Sequence, residues 1–344
     1  MNAYSDVRPG GYAWWYFDAV SDDGARALTA IFFIGSVFSP DYAGRVRRGE
    51  PARAQEHVGV NLALYERGKK RAWVMSEYGE AALGPVGEAG PRIGESGIER
   101  IGGGGGGGSG GDSLRVTIHE RSAPFLVSLA GIGARVDGVI DLEPHAPPLA
   151  PVELTGEGAA GDRHRWHVQV PRARVRVRFE RPSFSFDGVG YHDLNAGDGR
   201  LERAFSSWSW ARFHAADRTT IIYATHERSG AARACVVDAR DDEAAVVRPA
   251  TLLPEGERMR LPWGLRMPRW FAVDDGGRVL RCQPTRLYES APFYARYAAR
   301  LGDGRGDGQG DDRPAPTGVG EYLDLDRFRD RGVQFLLRFK MRRT

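Results

Sequence analysis

Arg172-Ala-Arg-Val-Arg-Val-Arg-Phe179 is the stretch that decides the fold class, because apolar and arginine side chains alternate along it. Side chains two residues apart lie on one face of a β-strand, so the alternation predicts a strand with one buried and one solvated face. Helical periodicity is scarce elsewhere, and its best candidate is the segment from Pro292 to Leu301. The chain is therefore predicted to be all-β.

Strand and turn signals on both sides of this stretch support the prediction. The aromatic run Gly11–Asp18, the turn Ser21–Gly24 and the apolar run Ala27–Phe38 predict a hairpin. A second hairpin is predicted around the turn-like segment Arg67–Lys70. Further strands are predicted at residues 219–225, 234–238, 271–273, 278–284 and 334–339. Many short strands separated by turns are typical of a sandwich or a barrel.

Length and composition predict the organisation of the chain. Its 344 residues allow two domains, and 41% hydrophobic with 27% charged residues are typical of a soluble globular protein. We place the boundary near Gly197–Leu201, which gives domains of residues 1–199 and 200–344. The glycine-rich tracts Gly102–Gly111 and Gly302–Asp312 are interpreted as flexible loop insertions. No Gly-Lys-[Ser/Thr] follows the first tract, so a phosphate-binding loop is not predicted.

Charge, cysteine content and hydropathy argue against several classes of protein. The formal net charge is only +3, and the arginines are interleaved with acidic residues, so no nucleic-acid partner is predicted. Cys235 and Cys282 show no motif spacing, so no disulfide framework is expected. Without a secretory signal or an apolar run of about 18 residues, the protein is predicted to be cytoplasmic, with peripheral contact at the inner membrane left open. The basic end Arg338–Thr344 is either a solvated terminus or a contact with an anionic lipid surface.

Two pairs of residues are candidates for chemistry. In β geometry the side chains of His164 and Trp166 point the same way, and so do those of Tyr191 and Asp193. Both pairs lie within thirty residues and are joined by the strong strand at 172–179. Adjacent strands can therefore bring an imidazole, an indole, a phenol and a carboxyl group together, which predicts a reaction site.

Each pair also has a purely structural interpretation. The alternating segment 166–170 can form the inward face of a strand, with His164 at its solvent end. The segment 193–198 can form a turn in which its acidic and amide side chains bond the backbone. Only the co-occurrence of both pairs favours the functional interpretation.

Metal, nucleophile and dinucleotide sites are not predicted. His164 and His167 point to opposite faces of a strand, and the chain contains no HExxH motif and no paired CxxC motif. It also lacks a GxSxG elbow, a cysteine close to a histidine, and a glycine fingerprint between a strand and a helix. The candidate chemistry therefore stays with the two pairs.

Seven motifs spread over most of the chain resemble the carotenoid 1,2-hydratase family, also called hydroxyneurosporene synthase. They are Pro9-Gly-Gly-Tyr-Ala-Trp-Trp-Tyr16, Phe33-Ile-Gly-Ser-Val-Phe-Ser-Pro40, His164-Arg-Trp-His167, Gly190-Tyr-His-Asp-Leu-Asn-Ala-Gly-Asp198, Trp208-Ser-Trp210, Ser290-Ala-Pro-Phe-Tyr-Ala-Arg296 and Leu323-Asp-Leu-Asp-Arg-Phe328. The motifs are specific together, although none is specific alone. The sequence departs from the family at Val168, where proline is expected, and at Leu194, where threonine is expected.

The resemblance implies a fold, a reaction and a set of site residues. The fold would be two lipocalin-like β-barrel or sandwich domains in tandem that act without a cofactor. The reaction would be the addition of water to the terminal C1=C2 double bond of an acyclic carotenoid such as neurosporene or lycopene, giving a 1-hydroxy carotenoid. The catalytic residues of the family match His164, Trp166, Tyr191 and Asp193 of this chain.

These residue types suit an acid-catalysed hydration. Asp193, kept protonated by burial, would deliver a proton to C2, and Trp166 with Tyr191 would face the tertiary cation at C1. His164 would orient the water and accept its proton, although an exchange of roles between Asp193 and His164 stays open. A long apolar substrate further implies a tunnel lined by aromatic residues and transient contact with a membrane surface.

Two other functions stay open on the sequence alone. Related two-domain β architectures serve cofactor-free cyclases or pericyclases of natural-product pathways, and lipocalin-like cavities commonly carry lipophiles without catalysis. A carrier needs neither an acid nor a base in its cavity, and a cyclase need not place a water molecule. The pair of Asp193 and His164 therefore distinguishes a hydratase from both.

Overall fold

The computed structural model describes residues 6–102, 112–156, 162–303 and 317–344. The predicted loop insertions fall largely outside these ranges, since residues 103–111 and 304–312 are not among the described ones.

The chain divides into two compact units. The first is Met1–Leu201 together with Gln334–Thr344, and the second is Glu202–Val333. The C-terminal segment therefore belongs to the first unit, although it follows the second in sequence. That the domains comprise residues 1–199 and 200–344 stays a prediction.

Strands make up most of the described chain, which confirms the all-β fold class. In chain order they are β1 Tyr12–Ser21, β2 Arg26–Ile34, β3 Val58–Glu66, β4 Lys69–Tyr78, β5 Arg92–Ile93, β6 Ser96–Ile101, β7 Ser113–Arg121, β8 Arg135–Pro144, β9 Val152–Glu153, β10 His164–Arg181, β11 Phe184–Gly197, β12 Phe205–His214, β13 Arg218–Glu227, β14 Ala232–Arg240, β15 Val246–Leu252, β16 Arg258–Arg260, β17 Arg266–Pro268, β18 Phe271–Asp274, β19 Val279–Ser290, β20 Tyr294–Asp303, β21 Thr317–Asp324 and β22 Arg342–Arg343.

The described helices are short. They are α1 Pro40–Arg47, α2 Pro124–Ala130, α3 Leu201–Ala204, α4 Leu325–Phe328 and α5 Arg331–Lys340, with single 3₁₀ turns at Ala54–Glu56, Glu80–Ala82 and Pro262–Gly264. Within the described ranges, no helix has the length and apolar character needed to span a membrane.

The first unit is built on one 12-stranded sheet. Its strands follow the order β22-β4-β3-β2-β1-β11-β10-β8-β7-β6-β5, and β9 pairs with β10 outside this path. Strands β1, β11 and β10 are consecutive in this order, and all their pairings with one another are antiparallel. Both candidate pairs are therefore carried by adjacent strands.

The second unit contains a closed antiparallel barrel of the strands β12-β13-β14-β15-β18-β19-β20-β21. Eight strands is the number found in lipocalin barrels, whose interior is filled by side chains or holds one small ligand. The small sheet of β16 and β17 adds Met267 to the apolar core of this unit, and Leu265, directly before β17, also enters that core.

Both hairpins predicted near the N-terminus are confirmed. β1 pairs with β2, and β3 pairs with β4, in each case antiparallel. Arg67 (φ 51°) and Gly68 (φ 78°) connect the second pair. Positive φ at both central residues is the requirement of the type I′ turn, whose twist matches that of the flanking strands.

The predicted helix at residues 292–301 is wrong, because this segment contributes to β20. Ala295, Tyr297 and Ala299 enter the apolar core of the second unit, whereas Arg296 lies between the first two of them and Arg300 follows the last. The period of two therefore outweighs the helix propensity of the alanines once a barrel neighbour is available on each side.

The predicted strand at residues 334–339 is also wrong, because it lies within α5. Val333, Gln334 and Met341 are buried, whereas Phe335 and Phe339 are exposed. Spacings of three and four residues place side chains on a common helix face, and this segment fits that period as well as it fits a strand.

The alternation along β10 follows the prediction. Ala173, Val175, Val177 and Phe179 are buried in the main apolar cluster of the first unit, and the three arginines between them are exposed. Arg172 departs from the pattern because it is buried.

A β-bulge changes the face to which β10 points. Val168 pairs with Asp193, but Val170 pairs with His192, so Gln169 is an extra residue on β10. An extra residue reverses the alternation beyond it. Side chains before the bulge therefore point away from the apolar core, whereas Val170 enters it. A second register shift lies between Val170 and Ala173, so that Ala173 and the alternate residues after it enter the same core.

Candidate active site

The central strands of the first unit carry a second buried face, opposite the apolar core. On β1, Ala13, Trp15 and Phe17 enter the core, so the residues between them point the other way. These residues are also buried, and they are Tyr12, Trp14, Tyr16 and Asp18. An aromatic strand that is buried on both faces is unusual for a sheet with one core.

The register arranges this face in rows across β1, β11 and β10. Directly paired residues of antiparallel strands point to the same side of a sheet. The rows are Tyr12, Gly197 and His164, then Trp14, Asn195 and Trp166, then Tyr16, Asp193 and Val168, and finally Asp18 with Tyr191. All four predicted site residues therefore lie on one face, which we call the site face.

The carboxyl group of Asp193 accepts hydrogen bonds from three side chains. Tyr191 Oη and Trp166 Nε1 donate to its Oδ2 at 2.7 and 2.8 Å, and Asn195 Nδ2 donates to its Oδ1 at 2.8 Å. All four side chains are buried. Burial raises the pKa of Tyr191 well above its ordinary value, and the hydrogen bond to Asp193 raises it further, so this phenol stays protonated and donates.

His164 is fully buried and electrically neutral at physiological pH. Burial lowers its pKa to about 3, and a smaller opposing effect comes from its hydrogen bond with the side chain of Asn195. Its Nδ1 is 2.7 Å from Tyr12 Oη. The indole of Trp14 lies beside it, with ring centroids 5.6 Å apart. The ring is therefore held by a hydroxyl group in an aromatic surrounding.

Gly197 makes the contact between Tyr12 and His164 possible. It lies between them in the first row, and a Cβ built on it would be 2.3 Å from Cζ of Tyr12. No side chain tolerates such a distance, so the ring of Tyr12 crosses β11 only because this position is glycine. The glycine of the sequence motif thus has a role in positioning His164.

Asn195 joins the two halves of the site face. Its amide nitrogen donates to Asp193, and its side chain also hydrogen-bonds His164. The candidate acid and the candidate base are therefore linked through one amide group. Hydrogen bonds in a buried site of this kind restrict the orientation of the side chains that make them.

Both structural interpretations of the candidate pairs are wrong. His164 is buried and not at a solvent end, and the bulge directs Trp166 and Val170 to opposite faces of the sheet. The segment 193–198 is not a turn, because β11 continues to Gly197. The structure brings the four residues onto one face, while their catalytic roles stay a prediction.

Tyr12 and Asn195 belong to the site but were not predicted as site residues. Tyr12 is more than 150 positions from His164 in sequence, so only strand pairing brings them together. Asn195 has the same parity as Tyr191 and Asp193. Extending the period of two along that strand would have found it.

No group of three or more His, Cys, Asp or Glu side chains that could hold a metal ion occurs in the described part of the chain. Cys235 and Cys282 are free and buried, and burial raises the pKa of the Cys235 thiol to about 12. A thiol in that state is a poor nucleophile.

The stability of the protein is expected to fall as the pH drops below about 6.5. Burial lowers the pKa of both His164 and His192 to about 3 in the folded state, whereas an unfolded histidine titrates near 6.5. The unfolded state therefore binds more protons between these two pKa values, so acid favours unfolding in this range. The stability that the two neutral histidines contribute is fully present above about pH 6.5. Each histidine contributes at most about 1.4 kcal/mol per pH unit.

Urea titrations at a series of pH values would measure this dependence. In His192→Gln, which removes a ring that stacks on Phe17, the free energy of unfolding should depend less steeply on pH. An equal slope in the variant and the wild type would contradict the assignment of a low pKa to His192.

The comparisons with known proteins now identify the family. A model of the carotenoid hydratase family CrtC matches residues 30–344. The chain belongs to this family. Two relatives named acyclic carotenoid 1,2-hydratase are similar to it: that of Thiocapsa roseopersicina is 35% identical over 98% of this chain and 74% of its own length, and that of Rubrivivax gelatinosus is 33% identical over 86% of this chain and 66% of its own length.

Membership of the carotenoid hydratase family makes the protein a hydro-lyase and confirms the resemblance found in the sequence motifs. The fold agrees with solved structures at much lower identity. A putative AttH protein of Nitrosomonas europaea has a TM-score of 0.59 at 14% identity, with 94% of each chain covered. This likeness supports the lipocalin-like fold alone.

Proposed function

We propose that this carotenoid hydratase adds water across the terminal C1=C2 double bond of acyclic carotenoids such as neurosporene or lycopene. The observation that carries the proposal is the site face, where a buried carboxyl group with three hydrogen-bond donors is linked to a neutral imidazole. The names of the relatives point to the same substrate class. The reaction balances without a cofactor, since the alkene and one water molecule give a tertiary alcohol.

Asp193 is the proposed proton donor. Burial disfavours the carboxylate and so favours the protonated acid in the free site, whereas its three donors favour the carboxylate. These donors therefore stabilise the charge that develops as the proton passes to C2. Preorganised donors of this kind stabilise a transition state because they need no reorganisation when the charge forms.

Trp166 and Tyr191 are proposed to stabilise the cation at C1. Both donate to Oδ2 of Asp193, which places their rings next to the acid that protonates the alkene. A desolvated contact between a cation and an aromatic face is worth about 2 kcal/mol, or roughly a thirtyfold gain in rate. This effect is too small to be the main one, so the acid strength of Asp193 has to supply more.

His164 is the proposed acceptor of the proton from water. With a pKa of about 3 it is neutral at physiological pH, so it can accept a proton but carries none to donate as an acid. Water that has bonded to C1 is a far stronger acid than an imidazolium, so even this weak base removes its proton. The imidazolium then releases the proton readily to solvent, which allows Asp193 to be protonated again.

The aromatic residues of β1 suit the apolar end of the substrate. Tyr12 and Trp14 are stacked with ring centroids 5.2 Å apart, and the rings of Tyr16 and Tyr191 are 6.2 Å apart. We propose that one end of the polyene lies against these rings, which exclude bulk water from the cation. Premature capture or proton loss is then less frequent.

Expression in a bacterial host that accumulates lycopene or neurosporene tests the proposal. Extracted pigments are separated by chromatography and their molecular masses are measured by mass spectrometry, with an empty vector as the control. We expect a product heavier by one water, or by two if both ends react. Unchanged pigment in the presence of soluble, folded protein would contradict the proposal.

A further inference from the structure

The first unit exposes a cluster of large apolar side chains on two helices. Phe125 of α2 is 48% exposed, and Phe335, Leu336 and Phe339 of α5 are 58%, 43% and 45% exposed. We call these four residues the aromatic patch. The ring of Phe339 joins the two helices, with centroid distances of 6.0 Å to Phe125 and 5.1 Å to Phe335. An exposed and contiguous apolar cluster of this kind marks an interaction surface.

The helix that carries most of the patch is anchored on its other side. Val333, Gln334 and Met341 are buried, so α5 is held against the protein while its aromatic side faces outward. The following strand β22 pairs with β4, which fixes the end of the helix to the sheet. The exposure of the patch is therefore a property of a docked helix.

Positive charge surrounds the aromatic patch. Residues 331–344 contain four arginines and one lysine and no acidic residue. Lys340 and Lys70 lie over the ring of Trp73, with Nζ 5.8 and 5.6 Å from its centroid. Asp41 neutralises part of this charge by pairing with Arg338 and Arg343, and Glu77 also pairs with Arg343. The surroundings of the patch remain basic.

We propose that the aromatic patch docks the protein on a bilayer containing anionic phospholipid. Phenylalanine and leucine on one side of a short helix, flanked by arginine and lysine, is the pattern of helices that lie in the membrane interface. The apolar side chains enter the boundary between headgroups and acyl chains, and the basic residues contact the phosphates. The use of such docking rests on the proposed function, because a carotenoid is dissolved in the bilayer from which it must be taken.

Flotation of the full-length protein with vesicles tests this inference. Vesicles of phosphatidylcholine are compared with vesicles of an equimolar mixture of phosphatidylcholine and phosphatidylglycerol. We expect binding to the mixed vesicles that weakens with salt. The double variant Phe335→Gln with Phe339→Gln should bind about tenfold more weakly, since two partly inserted rings are lost. The matched control, Val246→Gln with Trp263→Gln, removes two exposed apolar side chains of the second unit and should bind like the wild type.

Several outcomes would overturn the inference. These are the absence of wild-type binding to both kinds of vesicle, equal loss of binding in both double variants, and self-association that only the Phe335→Gln/Phe339→Gln variant loses. The last outcome would assign the patch to a second copy of the chain. Turnover of detergent-dispersed carotenoid is measured separately: the Phe335→Gln/Phe339→Gln variant should retain it. If the wild type shows no turnover of detergent-dispersed carotenoid, this result contradicts the proposed function and not the docking.

Discussion

Replacement of Asp193 by Asn is expected to lower the formation of hydrated carotenoid by about 10³-fold, within the range that general acid catalysis contributes. The amide cannot deliver a proton to C2. It is close in size to the carboxyl group and still offers an oxygen to Tyr191 or Trp166, so the fold should be retained. Single-turnover measurements with purified protein and detergent-dispersed lycopene would quantify the loss.

Asp18 provides a matched control for this prediction. It is a second buried carboxyl group on the site face, paired with Tyr191 across β1 and β11. Its Oδ2 accepts a hydrogen bond from Tyr16 Oη at 3.1 Å. Asp18→Asn should therefore cost much less activity than Asp193→Asn. Equal losses in the two variants, or near-normal activity of Asp193→Asn, would refute the assignment of the proton donor.

Replacement of His164 by Gln is expected to lower kcat by about 10²-fold with little change in KM. Glutamine can still hydrogen-bond a water molecule, but it cannot accept the proton that this water releases. Since the pKa of His164 is about 3, its protonation should reduce the activity of the wild type only near pH 3. Activity profiles of the wild type between about pH 8 and pH 5 should therefore show no inflection from His164.

Tyr12→Phe separates the positioning of His164 from its chemistry. The variant keeps the imidazole but removes the hydroxyl group 2.7 Å from Nδ1. We expect a loss of about tenfold, the equivalent of one hydrogen bond. A loss as large as that of His164→Gln would mean that the phenol itself takes part in proton transfer, which would contradict the assigned role of His164.

The fold was predictable where one physical signal acted alone. The alternation along β10 is unbroken for eight residues, and the turn at Arg67 and Gly68 has a residue that accepts positive φ. The predictions failed where two periods fit the same residues. The alanines of residues 292–301 favour a helix in isolation, but neighbouring barrel strands decided for a strand. At residues 334–339 the error was the reverse, because a strand was predicted and the segment forms part of α5.

The site was predictable only within one strand pair. Period two placed Tyr191 with Asp193, and His164 with Trp166, on common faces, and the motifs supplied their chemistry. The contact between Tyr12 and His164 depends on the register of β1 against β11, which sequence does not encode locally. The bulge at Gln169 was likewise not predictable, since neither Gln169 nor the residue on either side of it is glycine or proline. Pro171 lies within the second register shift, between Val170 and Ala173.

The bulge at Gln169 separates two parts of β10 whose alternate side chains point to different faces of the sheet. The part that ends at Val168 supplies the imidazole and the indole, and the part that begins at Val170, with a second register shift before Ala173, supplies side chains to the core. Substitutions of core residues in the part that begins at Val170 can change stability without moving a reacting group. The gain or loss of a single residue between His164 and Gln169 would instead exchange the faces and send the imidazole into the core. Evolution can therefore tune stability and chemistry separately along one continuous strand, provided that its length near the bulge is conserved.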